Sequence, residues 1–151
     1  MLYTYVMKLN RSNCPLASAL DIVGDKWSLL VIRDLFLGKK TFTEFLRSPE
    51  KIATNILANR IETLSKIGLL KFTKLPNDQK TKIYYLTDKG IDLYPVIYEM
   101  INWSSRNIKK EFGPKGKDLI NRFENTQQEI VIADAQSAYR SERLDILAQS
   151  S

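Results

Sequence analysis

Residues 41–87 read TFTEFLRSPEKIATNILANRIETLSKIGLLKFTKLPNDQKTKIYYLT, and their periodicity changes along the stretch. Thr41-Phe42-Thr43-Glu44 is a capping box: Thr41 caps a helix start and Glu44, at the third helical position, reaches back to it. The short helix so opened turns Phe42, Phe45 and Leu46 inward. It stops at Ser48-Pro49, because a residue before proline is pushed out of the helical region. From about Ala53 to Ile67 the spacing is helical again, with Ala53, Leu57, Ile61 and Leu64 on one face. Asn55, Asn59, Glu62 and Lys66 lie opposite, Thr54 and Ala58 lie on a flank, and Gly68 ends the helix. Two β-patterned runs follow, Leu69–Leu75 and Thr81–Leu86. Between them Pro76-Asn77-Asp78-Gln79-Lys80 reads as a five-residue polar hairpin loop.

A short capped helix, a turn, a second amphipathic helix and a basic hairpin, in that order, form the layout of a winged helix-turn-helix. The second helix of such a module enters the DNA major groove. Charge is distributed accordingly. Residues 24–86 hold 12 Lys/Arg against 6 Asp/Glu, whereas residues 1–23 hold 2 against 1 and residues 87–151 hold 9 against 10. The net +6 of the whole chain is therefore carried by this one segment. Segregation of this kind points to a polyanionic partner more strongly than the total does.

Working outward, Pro15 followed by Leu16, Ala19, Leu20 and Val23 predicts a first helix with proline in its first turn, closed by Gly24. Lys26 to Leu37 reads as a second helix, apolar on most sides and so buried at the centre of the fold. After the hairpin, Asp88 begins a long helix through Leu93, Val96, Ile97, Met100, Ile101 and Trp103, with a kink expected at Pro95. Gly113-Pro114 marks a boundary. Residues 115–151 look helical but weakly periodic, and Glu129–Ala133 fits a strand equally well. The expected class is α+β and mostly helical. Residues 1–112 form a winged helix-turn-helix domain with dimerisation helices, and residues 113–151 form a C-terminal extension.

At 151 residues the chain can bury one core of its own. No stretch is long and apolar enough to span a bilayer, and Met1 to Asn13 lacks the apolar run of a signal peptide, so a cytoplasmic protein is expected. One cysteine excludes an intramolecular disulfide. With no histidine, and no ligand-like spacing of Cys, Asp or Glu, neither a metal site nor a cofactor is expected. There is no nucleophile paired with a base and no Walker or dinucleotide glycine motif, which argues against an enzyme.

Thr54, Asn55, Ala58 and Asn59 supply a small polar surface in the first turns of the second helix, where base edges would be met. Asn pairs with adenine, Thr reaches several bases, and Arg60 on the flank suits a base or a phosphate. Lys39, Lys40, Thr41 and Thr43, at the start of the preceding helix, are placed for phosphate, as are Lys74, Lys80 and Lys82 in the hairpin. The plainer alternative is that these side chains are simply solvated and that the hairpin lysines only guard a strand edge.

Several short motifs together resemble the HxlR family of winged-helix transcription regulators. They are Cys14-Pro15-Leu16 and Gly24-Asp25-Lys26-Trp27; Leu57-Ala58-Asn59-Arg60-Ile61 with Leu64 and Gly68-Leu69-Leu70; and Tyr85-Leu86-Thr87-Asp88-Lys89-Gly90 with Pro95 and Trp103. Asp25 stands where a second glycine is common in that family, and Ala53 where a capping serine is usual. The tail after Gly113 exceeds the usual family length by about a quarter of this chain. The resemblance implies a homodimeric repressor bound to a two-fold related operator of double-stranded DNA. Dimer contacts would come from Leu16 and Leu20 near the N-terminus and from Val96, Ile97, Met100, Ile101 and Trp103 on the long helix. It also implies that Cys14 is a redox switch. As the cap of the first helix, Cys14 would sit where the dipole favours thiolate, the reactive form, with Lys8 and Arg11 close in sequence. The alternative for Cys14 is a small buried residue in the dimer seam.

Other controls and roles stay open at this level. A small-molecule effector could replace oxidant, although Tyr94, Tyr98, Trp103, Phe112 and Phe123 read more readily as core or interface than as a pocket. A protein-interaction module without DNA is a second class, against which the hairpin lysines argue, and RNA binding is a third, against which the lack of stacking aromatics arranged on a sheet argues.

Overall fold

In the computed structural model, which describes residues 12–150, the stretch 41–87 folds in the expected order. Helix α1 spans Pro15–Val23, α2 Ser28–Phe36, α3 Phe42–Leu46 and α4 Thr54–Ile67. Strands β1 (Leu70–Leu75) and β2 (Asp78–Leu86) form an antiparallel two-stranded sheet with Leu70 opposite Leu86 and Phe72 opposite Tyr84. Helices α5 (Asp88–Ile91), α6 (Tyr94–Asn107), α7 (Pro114–Asn125) and α8 (Gln128–Gln149) complete the chain. The capping box at Thr41 is present, with the Glu44 N–H donating to Thr41 Oγ1 and the Thr41 N–H donating to Glu44 Oε1.

The core gathers around α2. Val31, Ile32 and Leu35 meet Phe45 of α3, Leu57, Ile61, Leu64 and Ile67 of α4, and Leu70 and Leu86 of the sheet. Helix α2 is shorter than Lys26–Leu37 because Asp25 starts it. The Asp25 carboxylate accepts from the N–H groups of Trp27 and Ser28, both at 3.0 Å, and so takes the place of a cap. Gly68 closes α4 at φ 87°, a conformation that favours glycine, and turns the chain directly into β1.

Three readings of the sequence are corrected. The hairpin has a two-residue turn, Pro76-Asn77, rather than a five-residue loop, because Leu75 pairs with Asp78. Polar side chains hold the tip together: Asp78 accepts from the N–H groups of Lys80 and Thr81, each at 3.1 Å, and Gln79 donates to the Leu75 carbonyl at 2.6 Å. The helix after the hairpin is broken rather than kinked. The Pro95 ring cannot coexist with a helical carbonyl at Ile91, so α5 ends there and α6 restarts with proline in its first turn. The freed Ile91 carbonyl accepts from Gln136 of α8 at 3.2 Å. Glu129–Ala133 is helical throughout, inside α8.

The C-terminal extension is built into this core. Tyr139 of α8 joins the main cluster, and Phe123 of α7 stacks on Tyr98 of α6 at 4.4 Å beside Val131. Beneath the turn between α3 and α4 lies a polar network. Buried Asp34 accepts from Ser48 and from Arg33 at 2.8 Å, Lys39 Nζ reaches Ser48 Oγ at 2.6 Å, and Arg33 grips Glu50 with two bonds of 2.8 Å. These ties fix the loop that aims α4.

Two outcomes follow from this packing. A Cβ on Gly90 would stand 2.4 Å from the Leu69 carbonyl oxygen, so Gly90→Ala must push α5 off the sheet. Urea unfolding should show a loss of about 1–3 kcal/mol. Hydrogen bonds from Arg33 hold the Glu50 carboxyl below its ordinary 4.5. A depressed native value makes Glu50 stabilising above pH 4.5, an effect lost as pH falls toward the native value. Glu50→Gln should therefore flatten the acid limb of stability against pH while lowering stability near neutrality.

Candidate nucleic-acid interface

Burial divides α4 into two faces. Leu57, Ile61, Leu64 and Ile67 are sealed into the core, so the residues between them must face out. Thr54, Asn55, Ala58 and Asn59 are all exposed. Ala53 caps the helix start without a side-chain hydrogen bond. Ile56 is also exposed on these first turns, which the helical-wheel reading passed over, and an apolar group there suits a thymine methyl. Glu62 points to solvent and pairs with Lys66 at 2.8 Å.

Arg60 is less free than its position suggests. Nη1 lies 3.2 Å from Asp25 Oδ1, and Nη2 lies 2.6 Å from Asn59 Oδ1. Burial alone would raise the Asp25 carboxyl. The Ser28 hydroxyl, the Trp27 and Ser28 N–H groups and Arg60 together hold it below its ordinary 3.8. Arg60 thus links the start of α2 to the outer face of α4 and orients the Asn59 amide. The Asp25 that departs from the family pattern is one half of this tie, which no spacing rule would have revealed.

The phosphate candidates fall into two groups. Lys39 is bound into the Asp34–Ser48 network, the Thr41 hydroxyl serves the cap, and Lys40 Nζ stands 3.5 Å from Glu142 of α8. Those three are occupied inside the chain, whereas Thr43 is exposed. In the hairpin, Lys80 and Lys82 are exposed and Lys74 half-buried, with Lys82 Nζ 4.7 Å from the Phe72 ring. Arg47, Lys51 and Lys71 are exposed cations that the sequence reading did not single out. Lys51, in the loop before α4, holds φ at 58°.

Away from α4, two helices present apolar side chains to solvent. Leu16 and Leu20 do so on α1, and Val96, Met100 and Trp103 on α6, at a spacing that makes one stripe. Ile97, offered with them as a contact residue, is spent on the chain's own core at 9% exposure, and Ile101 packs half-buried beside it. Cys14 caps α1 as expected and is exposed. Lys8 and Arg11 lie outside the described residues. A groove of about 620 Å³ runs between α2, α6 and α7, lined by Leu29, Leu30, Met100, Ile101, Gly116 and Leu119. Phe112 lines the same groove, Tyr94 packs on Phe36 at 4.9 Å, and Trp103 is exposed. Among the described residues no helix is long and apolar enough to cross a membrane, and no group of His, Cys, Asp and Glu could hold a metal ion.

Comparison with known proteins agrees with this geometry. The HxlR-like helix-turn-helix family matches residues 22–112. The HTH-type transcriptional regulator Rv3095 of Mycobacterium tuberculosis is 30% identical over 96 residues, which is 64% of this chain and 60% of that protein. This chain thus spans well under two thirds of that relative's length. The reduced form of the transcriptional regulator YodB from Bacillus subtilis is similar in structure at a TM-score of 0.55 and 31% identity, over 67% of this chain and all of that one. The redox regulator HypR in its reduced form is similar at a TM-score of 0.57 and 28% identity, over 64% of this chain and 95% of that one. The protein described here belongs to the HxlR-like helix-turn-helix family, whose members in these comparisons are transcriptional regulators.

Proposed function

We propose that the protein is a sequence-specific repressor that binds a two-fold related operator as a homodimer. The observation that carries this reading is the row Thr54, Asn55, Ala58 and Asn59, exposed on a helix whose opposite face is sealed into the core. Asn55 is the best adenine reader of the row, since Arg60 already engages the Asn59 carbonyl oxygen. Lys80 and Lys82 of the wing neutralise phosphate, and Thr43 with the start of α3 adds a backbone contact. The stripes on α1 and α6 pair two subunits, so that the two copies of α4 stand about 34 Å apart, one duplex turn.

Control by oxidation is supported by the position and exposure of Cys14. YodB has been solved in diamide-treated and quinone-bound forms. With a single thiol in each chain, the oxidised product is a disulfide to a second subunit or to a small thiol. A small-molecule effector is the second reading, favoured by the groove between α2, α6 and α7.

Binding to the protein's own upstream DNA, measured in reduced form and after diamide across a salt series, tests these points together. Binding should be tight, and its salt slope should fall by about 1.8 for each of Lys80→Ala and Lys82→Ala, since each removes one phosphate contact from both subunits. Asn55→Ala should cost about 1–3 kcal/mol on the operator and little on random DNA. Diamide should release the wild type but not Cys14→Ser. Binding by the wild type that diamide leaves unchanged would move control to the groove, release of Cys14→Ser as well would defeat the thiol switch, and equal affinity for random DNA would defeat the operator reading.

A further inference from the structure

Helix α8 runs past the base of the hairpin and meets the edge of β2 that β1 does not use. The Tyr84 and Leu86 N–H groups face this outer edge. The first donates to the Lys40 carbonyl at 2.7 Å. The second donates to Tyr139 Oη at 2.9 Å, and the Leu86 carbonyl accepts from Arg143 Nη1 at 3.1 Å. Tyr139 is 4% exposed and lies against the Phe36 ring at 5.3 Å. Arg143 also reaches Asp88 at 2.8 Å, just beyond the strand, and Glu142 approaches Lys40 at 3.5 Å.

Strand edges are ordinarily completed by another strand or left to water. Here two side chains one helical turn apart, at 139 and 143, supply an acceptor and a donor to one residue of the edge. The grip is confined to the base of the wing. Lys80 lies six residues further along β2, roughly 20 Å away at the usual rise of an extended chain. A rotation of about 10° at the base would carry such a tip about 3 Å, more than a phosphate contact tolerates. A two-stranded hairpin is only marginally stable by itself, so this angle has to be set from outside.

We propose that α8, which lies beyond the residues shared with the family, braces the wing against DNA, with Tyr139 and Arg143 as positioning residues for Lys80 and Lys82. The role rests on reading the hairpin as a DNA-contacting wing. Burial drives the Tyr139 hydroxyl up to about 12, so the group stays neutral across the working pH range.

Tyr139→Phe keeps the ring in the core and removes the acceptor, and Arg143→Met keeps the stem and removes the donor. The first readout needs no DNA. Hydrogen exchange over residues 78–86 of the full-length free protein should quicken at least tenfold in the double variant, with helix content unchanged. The second is binding to a fluorescein-labelled duplex of the protein's own upstream region in a KCl series. The double variant should bind about tenfold more weakly, with the salt slope reduced by about 3.6, the loss of two phosphate contacts in each subunit of the dimer. Adding Lys80→Ala and Lys82→Ala in that background should then change little.

Unchanged exchange, or unchanged affinity and slope in a variant whose parent binds, would overturn the brace alone. Weaker binding with the parent's slope and fully additive lysine substitutions would reduce Tyr139 and Arg143 to ordinary stabilising residues and overturn it too. Quickened exchange in a protein whose wild type binds no duplex would overturn the DNA reading, and the brace's role with it.

Discussion

The outward face of α4, proposed to read DNA, depends on the removal of the opposite face from water. Leu57, Ile61, Leu64 and Ile67 together bury four branched aliphatic side chains. At about 1.5–3 kcal/mol each, that burial outweighs any preference of the polar residues between them. Rotation of the helix about its axis is thereby settled, and Thr54, Asn55, Ala58 and Asn59 can only face outward. The partners for this face come from α2, whose Val31, Ile32 and Leu35 lie at the centre, and from Phe45 of α3. The exposed polar face of α4 is therefore a consequence of the core.

Apolar burial fixes rotation but leaves position along and across the core softer, and polar ties do the rest. Buried Asp34 would be costly if unpaired, and it is bonded by Ser48 and Arg33, with Lys39 close by. This network pins the loop that delivers the chain into α4. Asp25 performs the matching task at the outer side, capping α2 and holding Arg60. Two aspartates thus set the aim of one helix. The same economy of side chains serves the wing, where Tyr139 and Arg143 complete a strand edge at Leu86.

The parts of the fold that were legible beforehand are those governed by neighbours in sequence. The capping box at Thr41, the amphipathic spacing from Leu57 to Ile67 and the left-handed Gly68 are local devices, and each is where it was expected. The misreadings come from side-chain ties, local or distant, that composition and spacing do not show. Asp78-Gln79-Lys80 resembles a loop by composition, yet pairs as a strand because its side chains knit the turn. Pro95 could signal a kink or a break, and the break is accommodated by Gln136, which lies far along the chain and accepts no local rule. Lys39 looked free for phosphate until Ser48 and Asp34 were brought beside it.

By itself, the amino-acid sequence determined the element order through the hairpin, the two-faced character of α4, the basic wing and the confinement of excess charge to residues 24–86. These rest on periodicity, capping and composition, which act over a few residues. Only the tertiary structure decided which cations are free, that Arg60 is tied to Asp25, that Ile97 turns inward while Met100 does not, and that the extension reaches the wing. Several of those join residues tens of positions apart, as Arg60 to Asp25, Lys40 to Glu142 and Leu86 to Tyr139 do. Their partners are chosen by how packed helices cross, and that is a property of the assembled core rather than of any short stretch of chain.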